Sequence, residues 1–466
     1  MGNAIESGGS VVRRPKQILF DASHSFPTGK NSGIERVVRS LYPELVACSD
    51  QLGVHVPQMV TFHGDHFYRI DGNVRRDFSK LAAIESNIKA RIPKALQQII
   101  QWVSRRCGVK QLEKWFLPQV GHLGAFKVPH TIADRLLRLA LPYRSPKLTI
   151  HEGDLVILPD AYWTRRGVWK AAQHARQQGA VVATLIYDLI PLTHPEFVGA
   201  KRCAGFREYL HHAIENSDIL TSISATVSDE LERYIDANRA TLKRIPTHLN
   251  HFTLGAEFHR AKGEVRTGLK ELFPNEPAKQ QKPPYLMVAT FDPRKNHRYL
   301  LDAFDRLWND GSDAKLVLIG RVGSLCEDLI QRIQNHPQIG KQLFAFHDVQ
   351  DFELQHCYQF CRGVLFPSIV EGFGLPIVES LWFGKRTFAS DTPIHREVGK
   401  EDCIYFDLAD PQSLATKIQA WEKQAENSEL TLPTRRPFTW KESSIQFLSQ
   451  ILDVMEAKNV PMKRAA

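Results

Sequence analysis

The stretch that decides the fold is Val364-Leu-Phe-Pro-Ser-Ile-Val-Glu371-Gly-Phe-Gly-Leu-Pro-Ile-Val-Glu379. It predicts a buried strand, a glycine turn and the first turn of a helix. Gly372 and Gly374 let the backbone approach a ligand closely, and Pro376 suits a first helical turn, whose N–H groups have no partner within the helix. Because the remaining free amides and the positive end of the helix dipole attract anions, the turn predicts an anion site.

Two carboxylates bracket this turn. Glu371 precedes the glycines, and Glu379 lies farther along the predicted helix. They are too far apart to share a proton, so we expect them to hold two different parts of one ligand. The alternative for both is a structural one, since an acid near a helix start stabilises the helix without any ligand.

The bracketed turn resembles the signature of the retaining glycosyltransferases of family 4, in which E-G-F-G-L-P is followed by a second glutamate. Further matches follow in the order expected of that family, from about residue 17 to about residue 455, with a poorly matched region at about 75–150. The matched segments are 32–36, 187–195, 222–224, 288–296, 316–321 and 390–397. Within the family, the sequences of these motifs are most similar to those of bacterial polysaccharide and O-antigen mannosyltransferases.

The resemblance implies an α/β protein of the GT-B class. In this class two Rossmann-like domains, each a doubly wound parallel sheet, face each other across a cleft, and a C-terminal helix crosses back to the first domain. The length of 466 residues fits two domains, because single cores seldom exceed about 250–300 residues. No run approaches the ~20 apolar residues of a membrane span, and the polar, glycine-rich start predicts no secretory signal.

Charge and cysteine usage limit the partners and the compartment. A net charge of +9 favours an anionic partner. No recognisable nucleic-acid module accompanies the charge, so we expect a phosphate-rich substrate or an acidic membrane face and no nucleic acid. The seven cysteines are scattered, which favours reduced thiols over a metal site or a disulfide framework. We therefore expect a cytoplasmic protein, with peripheral attachment to the inner face of the cell membrane as a further hypothesis.

Alternating strand and helix patterns divide the chain. We predict a polar tail at 1–16, a first domain at 17–257 with a basic helical insertion at about 76–150, a linker at 258–284, a nucleotide-sugar domain at 285–438, and a crossover helix and tail at 439–466. Strands are predicted at 17–21, 54–62, 66–70, 153–159, 181–187 and 219–222, and then at 285–289, 315–319, 342–346, 363–367, 386–390 and 403–406.

The insertion contains a strongly basic segment at 88–116. Seven basic side chains stand against one acid there, and the apolar residues fall mainly on one side of a predicted helix. Such a helix can lie on anionic lipid. The alternative is a helix that packs its apolar stripe on the domain and solvates its charged side.

The first strand of each domain leads into a candidate binding loop. Ser32 and Gly33 follow the strand at 17–21 and are candidates for a site wall, although Gly33 can simply start a helix. Arg294 and Lys295 follow the strand at 285–289, where they can reach a diphosphate. The alternative for this pair is a solvated surface pair.

The resemblance assigns roles on the donor side of the cleft. Lys295 matches the family's phosphate-binding lysine. Thr290 stands where some members have an arginine, which leaves Arg294 as a candidate to replace it. Glu379 matches the carboxylate that binds the ribose hydroxyls, and Glu371 matches the one that contacts the donor sugar. The remaining matched substrate-binding positions are Gly320, Arg321 and the amides of Phe373, Gly374 and Leu375.

The strand end at 187–188 departs from the family. Many relatives have a His-Asp pair there, with the histidine touching the donor sugar, but this chain has Tyr187 and Asp188. Either Tyr187 supplies the hydrogen bond, or His194 swings in, or the contact is missing. Asp188 can accept a hydrogen bond from the acceptor hydroxyl, or it can be a structural cap before Pro191.

These features predict a retaining glycosyltransferase that moves a hexose, in the first place mannose from GDP-mannose, onto a lipid-linked or polysaccharide acceptor. No cofactor and no metal are expected, since no Asp-x-Asp triplet is present. The alternatives are a nucleotide-sugar epimerase or phosphorylase of similar architecture, or a non-catalytic scaffold that binds nucleotide sugar. The base, the sugar, the acceptor and its linkage, the number of sugars added and the oligomeric state stay open.

Overall fold

Two β-sheets of mainly parallel strands, each covered by helices, make up the protein. They are seen in a computed structural model that describes residues 14–23, 25, 33–70, 145–160, 162–164, 167–258, 263–275, 282–323, 325–427 and 433–458. Ser32, the segment 88–116 and nearly all of the predicted insertion lie outside the described residues. None of the helices within those residues is both long and apolar enough to cross a membrane.

The first domain contains a seven-stranded sheet in the order β3-β2-β1-β4-β5-β6-β7. All neighbours are parallel except the antiparallel hairpin of β2 and β3. The strands are β1 Ile18–Asp21, β2 Gln58–His63, β3 His66–Arg69, β4 Leu155–Leu158, β5 Val181–Ile186, β6 Ile219–Ser222 and β7 His248–His251. Six of these strands were predicted from sequence. The edge strand β7 was not, because His-Leu-Asn-His is too polar to stand out as a strand.

The helices of the first domain alternate with its strands, as a doubly wound sheet requires. They are α1 Gly33–Cys48, α2 Val168–Gln177, α3 Ile190–Thr193, α4 Ala200–Asn216 and α5 Ala225–Asn238. The strands that run through the middle of the sheet, such as β4 with Leu-Val-Ile-Leu, are buried along their whole length. A strand covered on both faces needs such an apolar run, which is why these strands could be read from the sequence.

The second domain contains a six-stranded, all-parallel sheet in the order β10-β9-β8-β11-β12-β13. The strands are β8 Tyr285–Val288, β9 Leu316–Ile319, β10 Leu343–Phe346, β11 Gly363–Phe366, β12 Thr387–Ser390 and β13 Cys403–Phe406. All six were predicted. The strand order reverses between β8 and β11, so the crevice beyond their carboxyl ends is the place where such sheets bind ligands.

Helices cover both faces of the second sheet. They are α6 Thr267–Leu272, α7 His297–Asn309, α8 Glu327–Gln334, α9 Asp351–Phe360, α10 Leu375–Trp382, α11 Pro393–Gly399 and α12 Gln412–Glu426. The predicted turn after β11 leads directly into α10, with Pro376 in its first turn. The glycine turn and its helix therefore lie where the sequence places them.

The C-terminal helix α13, Trp440–Lys458, crosses back to the first domain and packs along α1. Trp440 donates from its backbone N–H to Glu257 Oε2 (2.7 Å) and from its indole N–H to the Glu257 carbonyl (3.0 Å). Farther along, the rings of Phe252 and Phe447 lie 5.0 Å apart. The predicted crossover is confirmed, and it anchors the end of the chain to the first domain.

Candidate active site

The loops after β8 and β11 meet at the point where the second sheet reverses its strand order. After β8, Pro293–Lys295 forms a turn of 3-10 helix, which Asp292 caps by accepting a hydrogen bond from the Arg294 N–H (3.2 Å). The Ile369 N–H donates to the Arg294 carbonyl (2.8 Å) and joins the two loops. The loops meet because β8 and β11 are neighbouring parallel strands, whose carboxyl ends lie at one edge of the sheet.

Arg294, Lys295 and Glu371 form one partly buried charge cluster. Arg294 donates from Nη1 to Glu371 Oε2 (2.7 Å) and to the Val370 carbonyl (3.2 Å). Lys295 donates from Nζ to the other oxygen, Oε1, of the same carboxylate. Glu371 thus orients both cations. A phosphate that bound Arg294 and Lys295 would share their N–H donors with Glu371.

Burial and mutual attraction tune the charges of this cluster. Burial alone would raise the pKa of Glu371, but Arg294 and Lys295 outweigh it and hold that pKa well below its usual range. Burial and the neighbouring Arg294 lower the pKa of Lys295 to about 8, against the opposing attraction of Glu371. Lys295 is therefore mostly protonated at neutral pH and begins to lose its charge in mildly alkaline solution.

The first turn of α10 presents backbone amides beside the cluster. Gly374 has φ +104°, a left-handed conformation that favours glycine, and no side chain caps the helix. Phe373 is buried, and Leu375 begins the helix. The residues predicted to offer amides to a phosphate therefore stand at an uncapped helix N-terminus.

Glu379 is engaged across the domain interface. Arg36, in the first turns of α1, donates from Nη1 to Glu379 Oε1, and Tyr358 donates to Oε2 (2.7 Å). The Arg36 guanidinium also lies 4.3 Å from the centroid of the Phe258 ring. Arg36 was not among the candidate site residues. Its position in the matched segment 32–36, one turn into the helix after a glycine loop, was the signal that could have identified it.

Asp188 faces the charge cluster from the first domain. Its Oδ1 accepts a hydrogen bond from the Ile190 N–H (3.1 Å), which is the cap foreseen as its structural role. Burial raises the pKa of Asp188, and the attraction of Arg294 only partly offsets this effect. A Cβ on Gly372 would lie 3.2 Å from the Asp188 Cβ, so Asp188 lies beside the glycine turn that directly follows Glu371.

The two candidates for the missing histidine differ in their surroundings. The Tyr187 hydroxyl donates to the Pro159 carbonyl (2.5 Å), and its ring is buried in the first sheet, so its hydrogen bond is made within the domain. His194 is half-buried, with Nδ1 3.0 Å from Thr193 Oγ1 and its ring stacked on Phe197. The Tyr187 hydroxyl is thus engaged within the first domain, and the choice between Tyr187, His194 and a missing contact stays a prediction.

The domains touch directly at the glycine turn. A Cβ on Gly372 would lie 2.0 Å from the Tyr187 carbonyl oxygen, so only glycine fits here. The Gly372 carbonyl accepts a hydrogen bond from Ser224 Oγ (2.7 Å). Nearby, Glu397 accepts from the N–H groups of Ala225 (2.7 Å) and Thr226 (2.8 Å) and so caps α5 from the opposite domain.

The remaining predicted residues lie around the same sheet edges. Gly320 follows β9 and packs against β8, since a Cβ there would lie 1.8 Å from the Ala289 carbonyl oxygen. Arg321 is exposed next to it. Gly33 begins α1 with no atom within 4 Å of where its Cβ would be, which leaves room beside it.

One group of possible metal ligands occurs elsewhere in the described residues. Asp65 and His66 at the β2–β3 hairpin and His174 on α2 bring their ligand atoms within 4.8 Å of one another. The sequence had suggested no such group, because His174 is distant in the chain. It belongs to the edge strands of the first sheet and contributes nothing to the charge cluster.

Comparison with known proteins points to one family for the second domain. Residues 270–431 match the family model described as Glycosyl transferases group 1. The chain is 30% identical over 286 residues to the serotype-specific mannosyltransferase WbdA of Escherichia coli, a match that covers 60% of this chain and 34% of that protein. It is 23% identical over 275 residues to the O-antigen chain mannosyltransferase B of Escherichia coli, covering 57% and 68%. The chain thus spans about a third of the length of WbdA.

Two solved structures share the fold over almost the whole chain. HepE of Anabaena in complex with UDP-glucose has a TM-score of 0.50 at 14% identity and covers 95% of this chain and 98% of its own. The sucrose-phosphate synthase of Thermosynechococcus elongatus has a TM-score of 0.50 at 17% identity, covering 96% and 97%. At such low identity these likenesses concern the fold alone, and they confirm the predicted pair of parallel-sheet domains.

Proposed function

We propose that the protein is a retaining hexosyltransferase of the GT-B class, because residues 270–431 match the family model described as Glycosyl transferases group 1 and the two parallel-sheet domains share their fold with solved structures. Its donor is a nucleotide diphosphate sugar, in the first place GDP-mannose, and its acceptor is a lipid-linked or polysaccharide glycan. The names of the mannosyltransferases it resembles support mannose as the sugar and a surface glycan as the acceptor.

The observation that carries the proposal is the cluster of Arg294, Lys295 and Glu371, with Asp188 opposite. Breaking a sugar–phosphate bond leaves added negative charge on the phosphate oxygen. Two pre-oriented cations and an uncapped helix N-terminus stabilise that charge more in the transition state than in the ground state. A cluster that served only to hold the fold together would not need to lie at the crevice where the strand order reverses.

The proposed chemistry uses each side of the crevice differently. The bond between the anomeric carbon and the phosphate oxygen breaks towards Arg294 and Lys295. The acceptor oxygen bonds to the same face of the sugar, and its proton passes to the departing phosphate. Asp188 holds the acceptor hydroxyl in place by accepting its hydrogen bond. Glu371 orients the cations and contacts the donor sugar, and Glu379 binds the ribose hydroxyls.

A panel of nucleotide sugars tests this function directly. The purified protein should bind one nucleoside diphosphate and slowly hydrolyse the matching sugar donor when no acceptor is present. Conversion of the nucleotide sugar to its epimer would instead identify an epimerase, and phosphate-dependent cleavage of a glycan would identify a phosphorylase. If the protein bound a nucleotide sugar but never hydrolysed it or transferred its sugar, it would be identified as a non-catalytic scaffold.

We further propose that the transfer reaction needs no divalent metal ion. We expect activity to persist in chelator, because the leaving phosphate already faces Arg294, Lys295 and helix amides. Loss of activity that magnesium or manganese restores would contradict this.

We also propose that the basic segment 88–116 attaches the protein to anionic membrane. Reversing Arg105 and Arg106 to Glu should release it from acidic liposomes, and equal behaviour of both forms would refute the proposal.

A further inference from the structure

Trp163 is an unusual residue in this molecule because its ring is exposed. It retains 37% of its surface in solvent, whereas Trp169, Trp308, Trp421 and Trp440 are buried. No other tryptophan among the described residues is exposed. An exposed tryptophan lacks much of the stabilisation that burial would give it, which favours a role in binding.

The position of Trp163 is beside the crevice of the first domain. It follows the carboxyl end of β4, and β4 and β1 are the two strands between which the first sheet reverses its order. Ligands of such sheets bind beyond these strand ends. Asp188 follows β5, the next strand in the sheet. Trp163 and the proposed acceptor-side carboxylate therefore come from neighbouring strands at the same edge.

The ring is held firmly from behind. Trp163 stands edge-on to Tyr209, with ring centroids 5.7 Å apart at 85°, and tilted against Phe206 at 6.1 Å. Both supporting rings are buried in α4. The preceding residue, Tyr162, is fully buried and donates from its hydroxyl to Asp21 Oδ2 (2.7 Å). These contacts fix the backbone on one side of Trp163 and leave one part of its ring facing solvent.

Tyr209 links this ring to the candidate site. Burial raises the pKa of Tyr209, and the nearby charges of Asp188 and Asp160 add to the effect. Trp163 therefore packs on a residue that lies within electrostatic reach of Asp188. An exposed aromatic side chain and a carboxylate that follow neighbouring strands suit a pyranose ring, whose C–H groups can pack on an aromatic face while its hydroxyls donate to the carboxylate.

We infer that Trp163 is a stacking platform for a pyranose ring of the acceptor glycan, next to the sugar whose hydroxyl Asp188 holds. This inference rests on the proposed function. The platform determines which acceptors bind, and it leaves donor binding and cleavage of the sugar–phosphate bond to the second domain. Trp163 is thus a specificity residue that binds substrate without taking part in bond breaking.

Three variants test the platform. Trp163→Leu keeps an apolar side chain but removes the flat ring, Trp163→Phe retains a smaller ring, and Phe438→Ala removes another exposed aromatic ring, 40% exposed, from the segment before α13. With GDP-mannose as donor and mannotriose as acceptor, Trp163→Leu should raise the acceptor KM at least tenfold, because mannotriose has a second pyranose ring that can stack on Trp163 next to the sugar held by Asp188. Donor hydrolysis and GDP affinity should stay within twofold. Trp163→Phe should recover most of the acceptor affinity, and Phe438→Ala should match the unsubstituted protein.

A binding measurement separates this inference from the proposed function. Saturation-transfer NMR with mannotriose reports saccharide binding without turnover. A signal that Trp163→Leu removes and Trp163→Phe restores supports the platform even if no donor is ever cleaved. An unchanged acceptor KM in Trp163→Leu, or a mannotriose signal that is absent or unaffected by the substitution, overturns it. Thermal unfolding of all three variants checks that the fold is retained.

Discussion

The guanidinium of Arg36 in the first domain pairs with the carboxylate of Glu379 in the second domain. Glu379 is almost completely buried, and its other oxygen accepts a hydrogen bond from Tyr358. The carboxylate proposed to bind the donor's ribose is therefore already satisfied by two donors. A nucleotide that binds Glu379 must therefore compete with Arg36. Because of this competition, we expect substitution of Glu379 to weaken nucleotide binding and substitution of Arg36 to strengthen it.

Glu379→Gln should weaken binding of the nucleoside diphosphate. An amide accepts hydroxyl hydrogen bonds less well than a carboxylate, and hydrogen bonds to charged groups are worth roughly 1.5–3 kcal/mol. We expect a loss of affinity of about 10-fold to 100-fold in calorimetry with GDP. Unchanged GDP affinity would remove Glu379 from the donor site.

Arg36→Gln should strengthen GDP binding. The substitution removes the guanidinium that donates to Glu379 Oε1. This oxygen is then available to accept a hydrogen bond from a ribose hydroxyl. The same calorimetry should show a several-fold gain. A loss of affinity would mean that Arg36 itself contacts the donor, and the pair would then be part of the binding site rather than a competitor for it.

Lys295 should make donor binding depend on alkaline pH. Its pKa in the unliganded protein is about 8, and binding a diphosphate favours the protonated form. GDP affinity should therefore be constant below pH 7 and fall as the pH rises through 8 and above. Lys295→Arg, which keeps its charge at alkaline pH, should abolish this fall in affinity.

Lys295→Ala should lower kcat by about 100-fold, because it removes one hydrogen-bond donor to the transition state.

Asp188→Asn should leave GDP binding intact and lower transfer to the acceptor. The carboxylate follows β5 of the first domain, whereas the residues proposed to bind the nucleotide belong to the second domain, so we expect it to contact the acceptor hydroxyl rather than the nucleotide. Calorimetry run beside a transfer assay separates the two effects. If Asp188→Asn abolished GDP binding while Glu379→Gln spared it, the roles assigned to the two domains would be reversed.

Gly372→Ala should impair turnover without unfolding either domain. The added Cβ would meet the Tyr187 carbonyl oxygen at 2.0 Å, so the domains must separate by more than an ångström at the glycine turn. A displacement of that size can cost about 100-fold in rate. Gly268→Ala, where nothing lies within 4 Å, serves as the matched control. Turnover equal to that of the control would show that the domains need not touch here during catalysis.

Local sequence patterns determined most of the fold and the donor half of the site. Apolar runs such as Leu-Val-Leu-Ile in β9 favour buried strands when helices alternate with them, and a glycine turn followed by Pro376 favours a helix start. Once the strands were known to be parallel, Arg294, Lys295 and Glu371 had to meet, because each follows a strand that ends at the same sheet edge.

The tertiary structure alone decided the contacts between the domains and the role of each side chain within them. Arg36 and Glu379 are 343 residues apart, and no periodicity connects them. The hydrogen bond from the Tyr187 hydroxyl to the Pro159 carbonyl and the exposure of Trp163 were likewise visible only in the structure. The Arg36–Glu379 pair depends on how the two sheets are placed against each other, and the surroundings of Tyr187 and Trp163 depend on how distant segments pack within the first domain. A local sequence pattern carries no information about either kind of placement.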